Sequence, residues 1–133
     1  MLLDKIMLLP ELAKQSSIID VLWLYGSYAN DTANDRSDID LAVAYGEMLP
    51  DKMERYLRPE QTAMVWREKL QLGDEQLSVV DINQAPVPLA YNIISQSKVI
   101  FCRSDLRLRS EEQRVWSLWE HYEYEHQRHR KAL

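Results

Sequence analysis

Three features of the sequence predict an α/β fold. Four runs rich in branched and aromatic residues, at 18–25, 38–43, 76–83 and 98–103, have strand length. Helix-length segments at 51–72 and 86–97 separate the later strands, and another at 105–131 follows the last. Turn-forming residues such as Gly26, Gly46, Pro50, Gly73 and Pro86 stand at the joints.

Taken in order, residues 2–16 give a short helical pattern, with Pro10 suited to the first turn of a helix at 11–15. The first strand, 18–25, runs into Gly26, and 28–34 reads as about two helical turns. After the second strand, residues 51–72 read as a helix broken at Pro59 and ended by Gly73. Met53, Leu57, Met64 and Leu70 recur there at helical spacing, which predicts one side laid against a sheet. The third strand follows at 76–83. Pro86 and Pro88 open a helix reaching residue 97, the fourth strand is 98–103, and a long helix closes the chain at 105–131.

A chain of 133 residues suits one domain spanning 1–133, burying somewhat under about 70% of its unfolded surface. Its net charge of −5 gives no basic field for nucleic acid, which argues against a polynucleotide template. Cys102, the single cysteine, reads as a buried strand residue, and no disulfide can form within the chain. Charge at Asp4 and Lys5 comes too early for a secretory signal and no apolar run approaches a membrane span, so the expectation is a soluble cytoplasmic protein with no membrane partner.

The chemistry concentrates in residues 24–43. Gly26 lets the backbone approach a bulky anion, and Ser27 offers both an N–H and a hydroxyl as the chain turns. Strand alternation puts Asp38 and Asp40 on one face, about 6.5–7 Å apart, while Ile39, Leu41 and Val43 face the other way. Two carboxylates held so repel unless they share a proton or a cation, and hard oxygen ligands suit Mg²⁺ bridged to phosphates. These residues predict a metal-dependent nucleotide site; the alternative is a surface hairpin with two acids ahead of a strand. Asp81 interrupts the third apolar run, where a charge is costly without a partner. If that strand lies beside the second, Asp81 completes a cluster of three carboxylates; otherwise it is a strand-end acid at the sheet edge. Such a triad could hold two Mg²⁺ ions around a nucleoside triphosphate, activate an incoming hydroxyl and stabilise the departing pyrophosphate.

Gly26-Ser27, ten residues, then Asp38-Ile39-Asp40 resembles the signature of the polymerase-β-type nucleotidyltransferases. The small size and the ending Ser37-Asp38-Ile39-Asp40-Leu41 resemble the minimal nucleotidyltransferase (MNT) group, whose best-understood role is as antitoxin to HEPN-domain toxins. The resemblance implies a small mixed sheet of about four strands flanked by helices. It makes Asp38, Asp40 and Asp81 the catalytic, metal-binding carboxylates and Gly26 with Ser27 the nucleotide-binding turn. It also implies ATP as substrate, two Mg²⁺ ions, and AMP transfer to a tyrosine hydroxyl of a cognate HEPN ribonuclease. The chain departs from many minimal members in having Asn30-Asp31 where they carry Arg-Gly, so the Arg that makes one phosphate contact in those members is missing. Asn and Asp tolerate the left-handed turn that the glycine would serve.

Two other classes stay open: a non-catalytic antitoxin acting by occlusion, and an antibiotic-type enzyme modifying a small molecule. The second needs an acceptor pocket, and at most one helix follows the last strand. In that helix Val115, Leu118, Trp119 and Tyr122 read as a core stripe, leaving Trp116 and Tyr124 as surplus aromatics suited to a protein partner. Arg114 with His121 weakly matches a HEPN ribonuclease pattern, and His126 and His129 read as part of a solvated tail.

Overall fold

The computed structural model describes residues 2–132. The elements are α1 (Leu3–Ile6), α2 (Leu9–Gln15), β1 (Ile19–Tyr25), one 3-10 turn (Gly26–Tyr28), β2 (Ile39–Tyr45), α3 (Lys52–Leu70), β3 (Leu77–Asp81), α4 (Val87–Gln96), β4 (Lys98–Cys102) and α5 (Asp105–Ala132). Four strands make one mixed sheet in the order β3-β2-β1-β4. β1 is antiparallel to β2 and β4, whereas β3 is parallel to β2, the crossover being α3.

Helices cover both sheet faces, which is why β2 is apolar at every position but one. Ile39, Leu41, Val43 and Tyr45 pack with Leu9 and Ala13 of α2 and with Ala63, Trp66 and Leu70 of α3. Val21, Trp23, Ala42 and Ala44 pack on the opposite face with Ala90 and Ile93 of α4 and Val115 of α5.

α3 corrects the sequence reading in three ways. Pro59 lies inside an unbroken helix instead of ending one segment. A proline there removes the N–H that would bond the carbonyl of Arg55, and the Gln84 side chain supplies the missing donor, its Nε2 bonding that carbonyl at 2.8 Å. The buried face carries Ala63, Trp66 and Leu70, while Met53, Leu57 and Met64 are exposed. Small Ala63 allows close approach to the sheet, and Arg58 sits 3.9 Å over the Tyr45 ring on the same side. Gln71 in the left-handed conformation (φ 57°) ends the helix, two residues before Gly73.

α5 is fastened by polar contacts near its start. Glu111 is buried, and its carboxylate accepts from Asn83 Nδ2 (2.9 Å), Arg107 Nε (2.9 Å) and Arg114 Nε (2.8 Å). Burial alone would raise its pKa; those three donors outweigh it and hold the carboxyl below the usual range. Arg114 also donates to the Ile82 carbonyl at 3.1 Å, so its visible work is structural. The expected core stripe shrinks to Val115, since Leu118 and Tyr122 are exposed and Trp119 is only half-buried. The reason is length: α5 outruns the sheet, and its aromatics pack on one another. Tyr91 of α4 stacks between Trp116 (centroids 5.4 Å apart) and Trp119 (4.2 Å), and Tyr122 and His126 continue the row.

This division of buried and exposed residues predicts contrasting mutants. Trp23→Ala should cost about 3–5 kcal/mol of stability, and Leu118→Ala about 0.5 kcal/mol or less, both read from urea unfolding.

Candidate active site

β1 delivers Tyr25 directly opposite Asp40 of β2, and the chain then turns at Gly26 with φ 74°. That angle favours glycine, and so does the space: a Cβ here would collide with the Asp40 carboxylate, its Cγ only 3.3 Å away. The Gly26 carbonyl accepts from the N–H groups of Ala29 (3.1 Å) and Asn30 (3.2 Å), and the Ser27 carbonyl from that of Thr32 (3.0 Å). Ser27 is half-buried at this turn.

The two helical turns expected at 28–34 are reduced to the single 3-10 turn at Gly26–Tyr28. Asp31 adopts the left-handed conformation (φ 57°), which stops the helix and which its residue type tolerates. Beyond it the Asn34 side chain accepts from the Arg36 N–H at 2.8 Å, and the Asn34 N–H donates to the Ser37 hydroxyl at 2.9 Å. Such local bonds compete with helix.

Asp38 immediately precedes β2 and is exposed; Asp40 is half-buried on the sheet face covered by α4 and α5, while Ile39 between them is fully buried on the other. Burial raises the pKa of Asp40, the Ser78 hydrogen bond works the other way, and the charge of Asp38 raises it further. Burial, and then the Asp40 charge, push the Tyr25 phenol up to about 12. Two acids and a neutral phenol thus line the mouth of the Gly26 turn.

Asp81 does not join them. In the parallel pairing of β2 and β3, Asp81 lies opposite Val43 and Ser78 lies opposite Asp40. Asp81 therefore shares the Leu77 and Val79 side of β3, facing α3, three residues along the strand from the level of Asp40. It is buried, its oxygens accepting from the Asn83 N–H (2.9 Å) and Gln84 Nε2 (3.0 Å), and it borders a cavity of about 330 Å³ with Tyr45, Arg55, Arg58 and Arg107. The residue that reaches Asp40 is Ser78, exposed, its hydroxyl donating to Asp40 Oδ1 at 3.1 Å. Strand parity was the available signal for Ser78: only one parity of β3 can share a face with Asp40. The sequence does not say which.

The donor set suits one Mg²⁺. Asp38 and Asp40 offer hard oxygens beside a turn whose missing Cβ lets the Asp40 carboxylate come close to the backbone, and Mg²⁺ takes one or two carboxylates plus substrate phosphates. A second ion fits less well: among the described residues no three His, Cys, Asp or Glu side chains are placed to share a metal. Cys102 is half-buried near Asp105, and burial raises its thiol pKa, leaving a poor nucleophile. Among the described residues no helix is long and apolar enough to cross a membrane.

The model of the family "Polymerase beta, Nucleotidyltransferase" matches residues 8–106. No curated protein sequence matches the chain. Among solved structures, a toxin–antitoxin with AMP-PNP superposes with a TM-score of 0.71 at 22% identity, covering 97% of this chain and 95% of that one. A tri-AMPylated Shewanella oneidensis HEPN toxin in complex with MNT antitoxin gives 0.66 at 20% identity, with 98% and 95% covered. The toxin–antitoxin MntA-HepT gives 0.66 at 19%, with 99% and 97% covered. The likeness is one of fold, a polymerase-β-like mixed sheet with flanking helices, and it runs the length of the chain.

Two outcomes test the site. Because the folded pKa of Asp40 lies above its ordinary value of 3.8, its ionisation costs stability as pH rises from that value through the folded one. Without metal, Asp40→Asn should melt above the wild type at pH 7, and the difference should vanish below about pH 3.8. Gly26→Ala should displace the Asp40 carboxylate and lower metal–nucleotide affinity about tenfold or more by calorimetry, with a fold penalty of about 1–2 kcal/mol from the positive φ.

Proposed function

The chain belongs to the polymerase beta nucleotidyltransferase family, and from that premise we propose that it is the antitoxin of a HEPN ribonuclease toxin, transferring AMP from ATP to a tyrosine hydroxyl of that toxin. The observation that carries the reading is the Gly26 turn closed against Asp40, with Ser27 and Asp38 beside it: a place where backbone meets carboxylate with no side chain between them. Gly26 and Ser27 receive the phosphates, and Asp38 and Asp40 hold the nucleotide's cation. When bound, Mg²⁺ would neutralise phosphate charge and favour pyrophosphate as the leaving group.

A protein acceptor suits the surface. Trp116 and Tyr124 are 52% and 61% exposed on α5, and aromatic residues are enriched at protein interfaces. Between Val115 and Gln127 the helix carries Glu120, Glu123 and Glu125 and no lysine or arginine. Acid and aromatic groups together complement the cationic surface with which a ribonuclease must hold RNA phosphates. AMP added to such a surface places a bulky anion where RNA must bind, so neutralisation would outlast dissociation. The near-complete overlap with chains from a toxin–antitoxin with AMP-PNP and from a tri-AMPylated HEPN toxin in complex with MNT antitoxin supports the same reading.

A second reading, neutralisation by docking alone, is favoured by one observation: Ser78, not a carboxylate, meets Asp40 from β3.

Co-expression with the neighbouring HEPN protein, followed by intact-mass spectrometry, tests both. The expected product is a toxin heavier by one or more AMP units, a modification lost with Asp38→Asn or Asp40→Asn and retained with Asp81→Asn. Toxin that is inhibited but unmodified would establish docking alone.

A further inference from the structure

From the pairing of β2 with β3 we infer that this is a one-metal nucleotide site, in which Ser78 occupies the position of the acceptor-side carboxylate and keeps AMP transfer slow. The inference rests on the nucleotide-site reading above and adds to it a limit on rate.

The β2–β3 pairing fixes the argument. In a parallel pair, residues in register project from the same face, so only Ser78 and its neighbours of equal parity, Val80 and Ile82, can share the face of Asp40. Val80 and Ile82 pack with Ala42, Ala90 and Ile93 and cannot ligate. Asp81 has the wrong parity and is held by Asn83 and Gln84. Ser78 is thus the one polar side chain that β3 offers on the face of Asp40, and its hydroxyl is turned towards Asp40 as a donor. A neutral hydroxyl brings no negative charge to a second cation and takes no proton from an attacking alcohol.

The transfer makes the demand explicit. The acceptor oxygen forms a bond to the α-phosphorus, the bond from that phosphorus to the bridging oxygen breaks, and pyrophosphate leaves with the electron pair. The acceptor's proton must go elsewhere, and with Ser78 in place it goes to water instead of a fixed carboxylate. Slow transfer is tolerable when the acceptor is a bound protein modified once, because the complex itself holds the toxin while the bond forms. A small-molecule enzyme, which must turn over, could not use such a site well.

The test counts metal and times transfer separately. Mn²⁺ binding in the presence of a non-hydrolysable ATP analogue, measured by calorimetry and electron paramagnetic resonance, should give one ion per chain for the wild type and two for Ser78→Asp. Ser78 is exposed, so the added charge stays solvated, and the wild-type count stands without any variant. AMP transfer to the co-purified toxin should be about 10- to 100-fold faster in Ser78→Asp, the range that a missing metal-site partner typically spans. Two ions in the wild type, or a Ser78→Asp variant that folds yet gains neither an ion nor rate, would overturn the inference. A count that rises from one to two while no AMP reaches any toxin would uphold the one-metal site and sink the transfer reading instead.

Discussion

The rule that a strand offers alternate residues to opposite faces governs this molecule more than any single bond. Its force is greatest where β2 and β3 run parallel, because the register of that pair sorts every polar group near the sheet. Asp40 and Ser78 fall on the side of α4 and α5; Asp81 falls on the side of α3 with Tyr45 and Arg58. Helices cover both sides, so a residue cannot change face without changing the core. A slip of one position would bring Asp81 to the face of Asp40 only by turning Leu77 and Val79 out of their cluster.

The fold was legible because its signals are local. Prolines at 86 and 88 mark the start of α4, Asp51 caps α3 through its bond to the Glu54 N–H, and the branched runs have strand length. The nearness of the Gly26 turn to Asp40, with Asp38 just ahead of β2, was legible for the same reason, since turn and strand follow directly in the chain. Asp81 was misplaced because its position depends on how two strands 38 residues apart align, as the Asp40–Ser78 bond records. The α3 break was misread for a similar reason. Pro59 does remove a helix bond, but its compensation comes from Gln84, a residue beyond β3. The stripe on α5 failed because periodicity reports an apolar face without saying whether anything covers it.

The site holds its acids at some cost to the fold. Asp40 is half-buried beside Asp38, with the Ser78 hydroxyl to steady it, and Tyr25 opposite stays protonated. On the proposed function, a cation arriving with a nucleotide would relieve that repulsion, so its affinity and the strain between the two acids would have a common source. The Glu111 cluster shows the reverse arrangement: a buried carboxylate supplied with three donors, which lowers its pKa and ties α5 to the end of β3.

The aromatic row on α5 has an optical consequence. Of the four tryptophans, Trp23 and Trp66 lie in the two cores at 1% and 3% exposure, one on each side of the sheet, whereas Trp116 and Trp119 flank Tyr91 in near-parallel stacks. Rings held so closely couple their electronic transitions and give a near-ultraviolet dichroism that isolated indoles lack. The two buried indoles emit to the blue of the exposed Trp116. The protein therefore carries separate intrinsic reporters for its cores and its last helix, and loosening of α5 can be told from melting of the sheet without any attached label.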